Sequence, residues 1–294
     1  MTPRRAAPGW VAALFFASTL ATAPARADPA LWVVRSPTAT IHLFGTIHVL
    51  KPGVVWRSAA LDTAFRQSAT LWTEIANPDD PAVAGPLMQQ LGGADPAHPL
   101  SSLLDATDRS ALAAAAVTLH MPQGVESLDR FRPWAAAVVL TIVPIIQAGY
   151  DPASGADRVL IHDAETEGKP VRGFETLSEQ LHFLADLPEP EQIDFLHQTL
   201  KDTTDGQKKI EEMVGFWLKG DVDALARDGV EMKAEAPGLY RILVAERNQR
   251  FADAIMRLLA DQGTSFVAIG VLHLSGADSV QAALASRGVR VERE

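Results

Sequence analysis

The sequence predicts an α/β protein with a mixed central β-sheet, flanking helices and a helical insertion. Three observations carry that prediction. Short apolar runs alternate with segments patterned at three-to-four-residue spacing, as in strands and helices stacked in layers. Two of the runs end in the same signature, Gly45-Thr46-Ile47-His48 and Gly270-Val271-Leu272-His273. Most of the chain between them is patterned as helix. Gly at a strand end lets the backbone turn or approach closely. A His just beyond it sits on a loop held by a rigid sheet, a common position for binding and catalysis. The repetition is the signal, because neighbouring strands would point both imidazoles into one cleft.

Composition narrows the function classes. The chain has 294 residues, 47% of them hydrophobic and 21% charged, ordinary values for a globular protein that buries a full core. A formal net charge of −10 and the lack of a Lys/Arg-rich run argue against a nucleic-acid partner. There is no Cys, which excludes disulfides, thiolate chemistry and Cys-based zinc sites. Any metal must be held by His and carboxylates.

Taken in order, the chain opens with Arg4 and Arg5, an apolar stretch from Trp10 to Ala23, and Ala25-Arg26-Ala27. That is the pattern of a secretory leader cleaved after Ala27, which leaves residues 28–294 as one periplasmic or secreted domain. The apolar stretch is shorter than the roughly 20 residues of a membrane span. Leu31–Val34 and Ala39–Gly45 read as a strand pair joined at Ser36-Pro37, with His42 on a strand face and outside the site. Val55–Gln67 is amphipathic at helical spacing, and Ala69–Ile75 is strand-like with Glu74 at its end. An acid in that position is either a solvent-facing strand residue or a carboxylate aimed at the cleft of His48.

Asn77–Gly93 reads as a loop with a short helix, and Asp105–Met121 as a helix ended by Pro122. Pro133-Trp134 opens a strongly apolar helix to about Ala148, read as buried and kinked at Pro144. Ala156–Glu167 is a helix broken by Gly168-Lys169-Pro170, and Val171–Glu175 is a strand ending in a second acid. Further helices from Thr176 to Ala234 suggest a helical lobe, in which Met213–Leu218 packs. Leu239–Asp261 is a long helix with Val244, Phe251, Ile255 and Leu258 on one stripe, and Arg247 and Asn248 fall on the same stripe. An inward cation needs a partner, so Arg247 is either a structural ion pair with Glu74 or Glu175, or an anion-binding group. Thr264–Gly270 is a strand, Ser275–Arg287 a helix and Val289–Val291 an edge strand. No phosphate-binding Gly-rich loop, Gly-x-Ser-x-Gly elbow or His-Glu-x-x-His helix is present.

Gly45-Thr46-Ile47-His48, Glu74, the Pro133-Trp134 helix, and Gly168-Lys169-Pro170-Val171 with Glu175-Thr176 and Gln180 together resemble the TraB/GumN family. So do Glu246-Arg247-Asn248 and Gly270-Val271-Leu272-His273, and the resemblance spans about residues 30 to 292. The family includes the Tiki metalloproteases and is related to erythromycin esterases and ChaN-like haem-binding proteins. The resemblance implies a common α/β fold with two Gly-x-x-His motifs, a Glu and an Arg around one site. By position these are His48, His273, Glu74 and Arg247. One departure is the second motif, Gly-Val-Leu-His rather than a polar Gly-x-Gly-His.

The chemistry expected at that centre starts from water, a poor nucleophile until a metal lowers its pKa or a base takes its proton. His48, Glu74 and His273 form a sufficient open ligand set for Zn²⁺, Mn²⁺ or Co²⁺. Arg247 would then steady an oxyanion. Three readings stand: a metal-dependent, peptidase-like hydrolase of a peptide or small molecule; a metal-free hydrolase with His48 as base; and a periplasmic binding protein for haem or another small ligand.

Overall fold

The computed structural model describes residues 28–78, 80–202 and 206–294; the leader expected over residues 1–27 lies outside them. Strands β1 (Leu31–Arg35), β2 (Ala39–Thr46), β3 (Thr70–Ile75), β4 (Val171–Glu175), β5 (Gly263–Gly270) and β6 (Val291–Arg293) form one mixed sheet in the order β4-β3-β5-β2-β1-β6. The β1–β2 hairpin is antiparallel, and its turn is tied by the Ser36 hydroxyl, which accepts from the Ala39 N–H at 3.0 Å. The pairs β2–β5, β5–β3 and β3–β4 are parallel, so four adjacent strands end at the same edge. The register sets Thr46 beside Gly270 and Ile75 beside Glu175, which brings the two Gly-x-x-His loops out side by side.

The helices are α1 (Ala59–Gln67), α2 (Pro81–Gly92), α3 (Leu100–Leu103), α4 (Ala106–Thr118), α5 (Glu126–Asp129), α6 (Pro133–Gln147) and α7 (Ala156–Thr166). After β4 come α8 (Leu177–Ala185), α9 (Glu189–Asp202), α10 (Gly206–Leu218), α11 (Val222–Glu235), α12 (Pro237–Tyr240), α13 (Glu246–Ala260) and α14 (Val280–Ser286). Residues of α1, α7 and α10 cover one sheet face, burying Phe44, Leu71 and Phe266 with Phe65, Leu160 and Trp217. Residues of α13 and α14 cover the other, burying Ile41, Leu43, Val267 and Ile269 with Phe251, Ile255 and Leu284. Covering both faces is what a parallel sheet requires, and it explains why the end of β5 is buried without alternation. Among the described residues no helix is long and apolar enough to cross a membrane.

The expected helical lobe has its own core, in which Leu112, Leu128, Ala136 and Leu140 meet Leu196. It is assembled from two insertions rather than one, since α6 precedes β4 and α9 follows it. Several element boundaries differ from the sequence reading. Asn77–Gly93 holds a 12-residue helix, not a short one, started by Asp80, whose side chain accepts from the Ala82 N–H. The apolar helix α6 continues through Pro144 and is buried only in its first half: Ile142 and Ile146 are 45% and 41% exposed. The long helix expected over Leu239–Asp261 is interrupted by a π-helical turn at Arg241–Ala245. Such a turn widens the helix by one residue, a slip that three-to-four spacing does not reveal. The last helix is confined to Val280–Ser286, after a 3₁₀ turn at Val271–Leu274, and the edge strand lies two residues later than expected.

Candidate functional site

The carboxyl ends of β2, β5, β3 and β4 deliver His48, His273, Glu74 and Glu175 to one edge of the sheet. This edge is where open α/β sheets place their ligands. Glu74 is buried at the centre. Its Oε1 accepts the Gly270 N–H at 2.7 Å and lies 3.7 Å from His273 Nε2. Its Oε2 accepts from Arg247 Nη2 at 2.6 Å and from Gln180 Nε2 at 3.0 Å. Although burial opposes ionisation, the charges of His273, Arg247 and His48 and the Gly270 hydrogen bond hold the carboxyl well below the usual range.

Arg247 clamps two acids. The same Nη2 reaches Glu175 Oε2 at 2.7 Å, Nε lies 3.1 Å from both Glu175 oxygens, and Nη1 donates to the Leu243 carbonyl at 3.2 Å. Gln180 bridges the same pair, donating to Glu175 Oε2 at 3.0 Å. The planar guanidinium fork matches this geometry where an ammonium would not. The π-helical turn lies immediately before α13 and ends where Val244, Arg247 and Asn248 all face inward.

His273 is buried, and Asn248 sets its tautomer. Asn248 Nδ2 donates to the Asp278 carbonyl at 2.7 Å, so Asn248 Oδ1 is the acceptor for His273 Nδ1–H at 2.6 Å. His273 Nε2 is left as a lone pair aimed at Glu74 Oε1, two acceptors facing each other. Burial pushes the imidazole pKa down to about 4, against the pull of Glu74, so the ring is neutral near pH 7.

His48 is the open member, with a side chain 59% exposed and Nδ1 donating to Asp157 Oδ2 at 3.0 Å. Desolvation lowers its pKa, but the Asp157 hydrogen bond and the charges of Asp157 and Glu74 outweigh it and raise the pKa to about 9. Asp157 comes from the first turn of α7, which is docked on the His48 loop: the Ala156 N–H donates to the Ile47 carbonyl at 2.9 Å. Gly155 lies so close to the His48 carbonyl that a side chain would collide with it. From the other side, Trp217 Nε1 donates to the Gly45 carbonyl at 2.7 Å.

The groups meet around Gly270. A Cβ there would lie 3.0 Å from Glu74 Oε1, 3.4 Å from His48 Nε2 and 3.6 Å from His273 Cδ2. The two imidazoles are therefore no farther apart than those last two distances combined. A cleft of about 220 Å³ opens beside them, lined by Thr46, His48, Glu74, Asp157 and Gln180. Two buried oxygens at its wall, Thr46 Oγ1 and Asp157 Oδ1, have no hydrogen-bond partner among the described residues.

All four residues named from the sequence, His48, Glu74, Arg247 and His273, are thus brought together. Arg247 is committed chiefly to Glu74, Glu175 and Leu243, which leaves one Nη1 N–H for the oxyanion role expected of it. His42 is outside the site, with Nδ1 3.1 Å from Glu294 Oε2. Asp157 was not found from the sequence, since an acid in the first turn of a helix reads as ordinary dipole compensation. The one hint was its place two residues after Gly155. Gln180 and Asn248 belong to the motifs quoted above, but their roles became legible only in three dimensions. Among the described residues no three His, Asp or Glu side chains are preassembled as a metal group.

Comparison with known proteins adds relatives, not a reaction. An uncharacterized protein of Treponema pallidum (strain Nichols) is 25% identical over 262 residues, 85% of this chain and 78% of its own. The uncharacterized protein YbaP of Escherichia coli (strain K12) is 27% identical over 143 residues, 49% of this chain and 52% of its own. No solved structure matches the chain. The profile of the TraB/PrgY/gumN family matches residues 30–293, the whole sheet and both insertions, and the chain belongs to that family.

Proposed function

We propose that this chain is an exported hydrolase of the peptidase type, acting on a peptide or small molecule with a divalent cation held by His48, Glu74 and His273. The observation that carries the reading is the convergence on Gly270. Oε1 of Glu74, Nε2 of His48 and the Cδ2 edge of the His273 ring surround a point that a Cβ would fill. Both rings are anchored through Nδ1, His48 on Asp157 and His273 on Asn248, as metal-bound imidazoles are. His273 Nε2 is then an acceptor, and facing acceptors such as this nitrogen and Glu74 Oε1 call for a cation or a proton donor between them. His48 Nε2 becomes a ligand once its ring gives up a proton, which a bound cation favours. The donor set of imidazole and carboxylate suits Zn²⁺, Mn²⁺ or Co²⁺.

When bound, such a cation supplies Lewis acidity, which makes water nucleophilic near neutral pH. The protein's own residues do the rest. Arg247, Gln180 and the Gly270 N–H fix Glu74 and keep it ionised beside Glu175. Asp157 aims His48 and holds its proton on Nδ1. A cleft of about 220 Å³ is smaller than the roughly 300–1,000 Å³ of sites that engulf a drug-sized ligand. It suits the scissile group of a larger substrate better than a macrocycle such as haem.

The Asp157–His48 hydrogen bond also favours one second reading, a metal-free site in which Asp157 orients His48 for proton transfer. Metal analysis of the purified chain, with His48→Ala beside it, separates the two. The proposal expects a near-stoichiometric divalent cation, reduced in the variant, together with hydrolysis of peptide or ester substrates that a chelator abolishes. Hydrolysis insensitive to chelation selects the metal-free reading. No cation and no hydrolysis overturns both.

A further inference from the structure

The helical lobe contains a second, larger cleft that the proposed chemistry does not use. Its volume is about 420 Å³, within the range of small-molecule sites. It lies among α6, α9, α10, α11 and α12, and its wall is apolar: Leu140 and Pro144, Phe195, Met213, Met232 and Leu239. The cleft takes its α6 wall from the later half of that helix, where Pro144 and Ile145 line it and the sequence neighbours Ile142 and Ile146 remain exposed. Two of the wall residues are Met, which reshapes readily around an apolar guest.

The polar rim is acidic. Asp228, Glu231 and Glu235 line the cleft. Glu231 is held by Lys209 at 3.3 Å, whereas among the described residues Asp228 and Glu235 have no salt-bridge partner. Three carboxylates against the single Lys209 leave the lining of this apolar cavity net negative, complementary to a molecule with a hydrocarbon body and a cationic end. We propose that this cleft is a binding site for amphipathic cations, compounds carrying an amine or quaternary ammonium on an aliphatic or aromatic body. A carboxylate meets the charge while the apolar wall takes the body, and the long side chains of α11 leave the head in water.

The test uses the full chain, with Nile red as the probe of the apolar wall. Dodecyltrimethylammonium and dodecyl sulfate are compared as competitors, each below the concentration at which it forms micelles. The expected result is saturable Nile red binding, with the cationic competitor displacing it at about tenfold lower concentration than the anionic one, the effect of one charge-assisted contact. Met213→Trp, which fills the cleft, should abolish probe binding. Asp228→Asn should keep probe binding and remove most of the preference for the cation. If Met213→Trp fails to fold, as judged by circular dichroism, Asp228→Asn decides. Absence of saturable probe binding, equal displacement by both competitors, or an unchanged preference in Asp228→Asn each overturns the proposal. The site is remote in composition from His48, Glu74 and His273, so its failure leaves the hydrolase reading untouched.

Discussion

At the scale of single residues, the Glu74–Arg247–Glu175 cluster decides the most. Buried charges survive only while paired. Replacing Arg247 with Lys keeps the charge but loses the fork that spans both carboxylates. Arg247→Lys is therefore expected to destabilise the fold by about 2 kcal/mol and Arg247→Ala by about 3–5 kcal/mol, as for breaking any buried ion pair; urea denaturation of the three proteins checks this. Equal stability of all three would mean that the clamp is unimportant. The buried imidazole gives a pH prediction. His273 has a folded pKa lowered from 6.5 to about 4, so between those values the unfolded chain binds more protons. Its contribution is complete above pH 6.5 and is lost as pH falls toward 4. Glu74, also lowered, adds a loss further into acid. His48 works oppositely: its pKa is raised to about 9, so its smaller contribution, discounted for exposure, fades as pH rises from 6.5 through 9. Denaturation midpoints measured in chelator should fall from pH 6.5 to 4, and His273→Gln should flatten that limb.

At the scale of elements, the docking of α7 on the His48 loop is what joins Asp157 to the site. Gly155 has no room for a side chain against the His48 carbonyl. Gly155→Ala should push α7 away, cost about 1–3 kcal/mol as overpacking does, and loosen the Asp157–His48 hydrogen bond. An imidazole titration by NMR should then show the His48 pKa falling from about 9 toward 6.5; an unchanged value would show that α7 does not govern His48. Gly270→Ala is more local. Its Cβ would enter the space between Glu74, His48 and His273, so activity should be lost while most of the stability remains. These contacts also mark how far the sequence was legible. Strands were readable because β-branched and apolar runs bounded by Gly and Pro have one local solution. The two His, Glu74 and Arg247 were readable because each breaks its local pattern. Asp157 and Gln180 break no pattern, and the contacts that tie them to His48 and Glu74 span more than a hundred positions. The π-helical turn and the exposed half of α6 were hidden for the same reason: each is set by what packs beside it.

At the scale of the whole molecule, four parallel strands share one edge, and every residue of the candidate centre is carried there or onto helices packed against it. The proposed leader belongs to this scale as well, because an exported chain crosses its membrane before the centre is assembled. Expression in a bacterial host followed by N-terminal sequencing of the periplasmic fraction should give Asp28 as the first residue. Recovery of an intact Met1 in membranes would reject cleavage. The two insertions combine into a lobe with a core separate from the sheet.

The position of β5 has a consequence in time. This strand, begun at Gly263, lies between β2 and β3, which were synthesised some two hundred residues earlier. Until it arrives, the earlier strands cannot complete the sheet, and Glu74 lacks the Gly270 N–H. Contacts of such long range are slow to close. The nascent chain therefore stays unfinished until nearly its last segment is made, a delay that the proposed export route would exploit. A chain stopped at Gln262 should be digested readily by protease where the complete one resists.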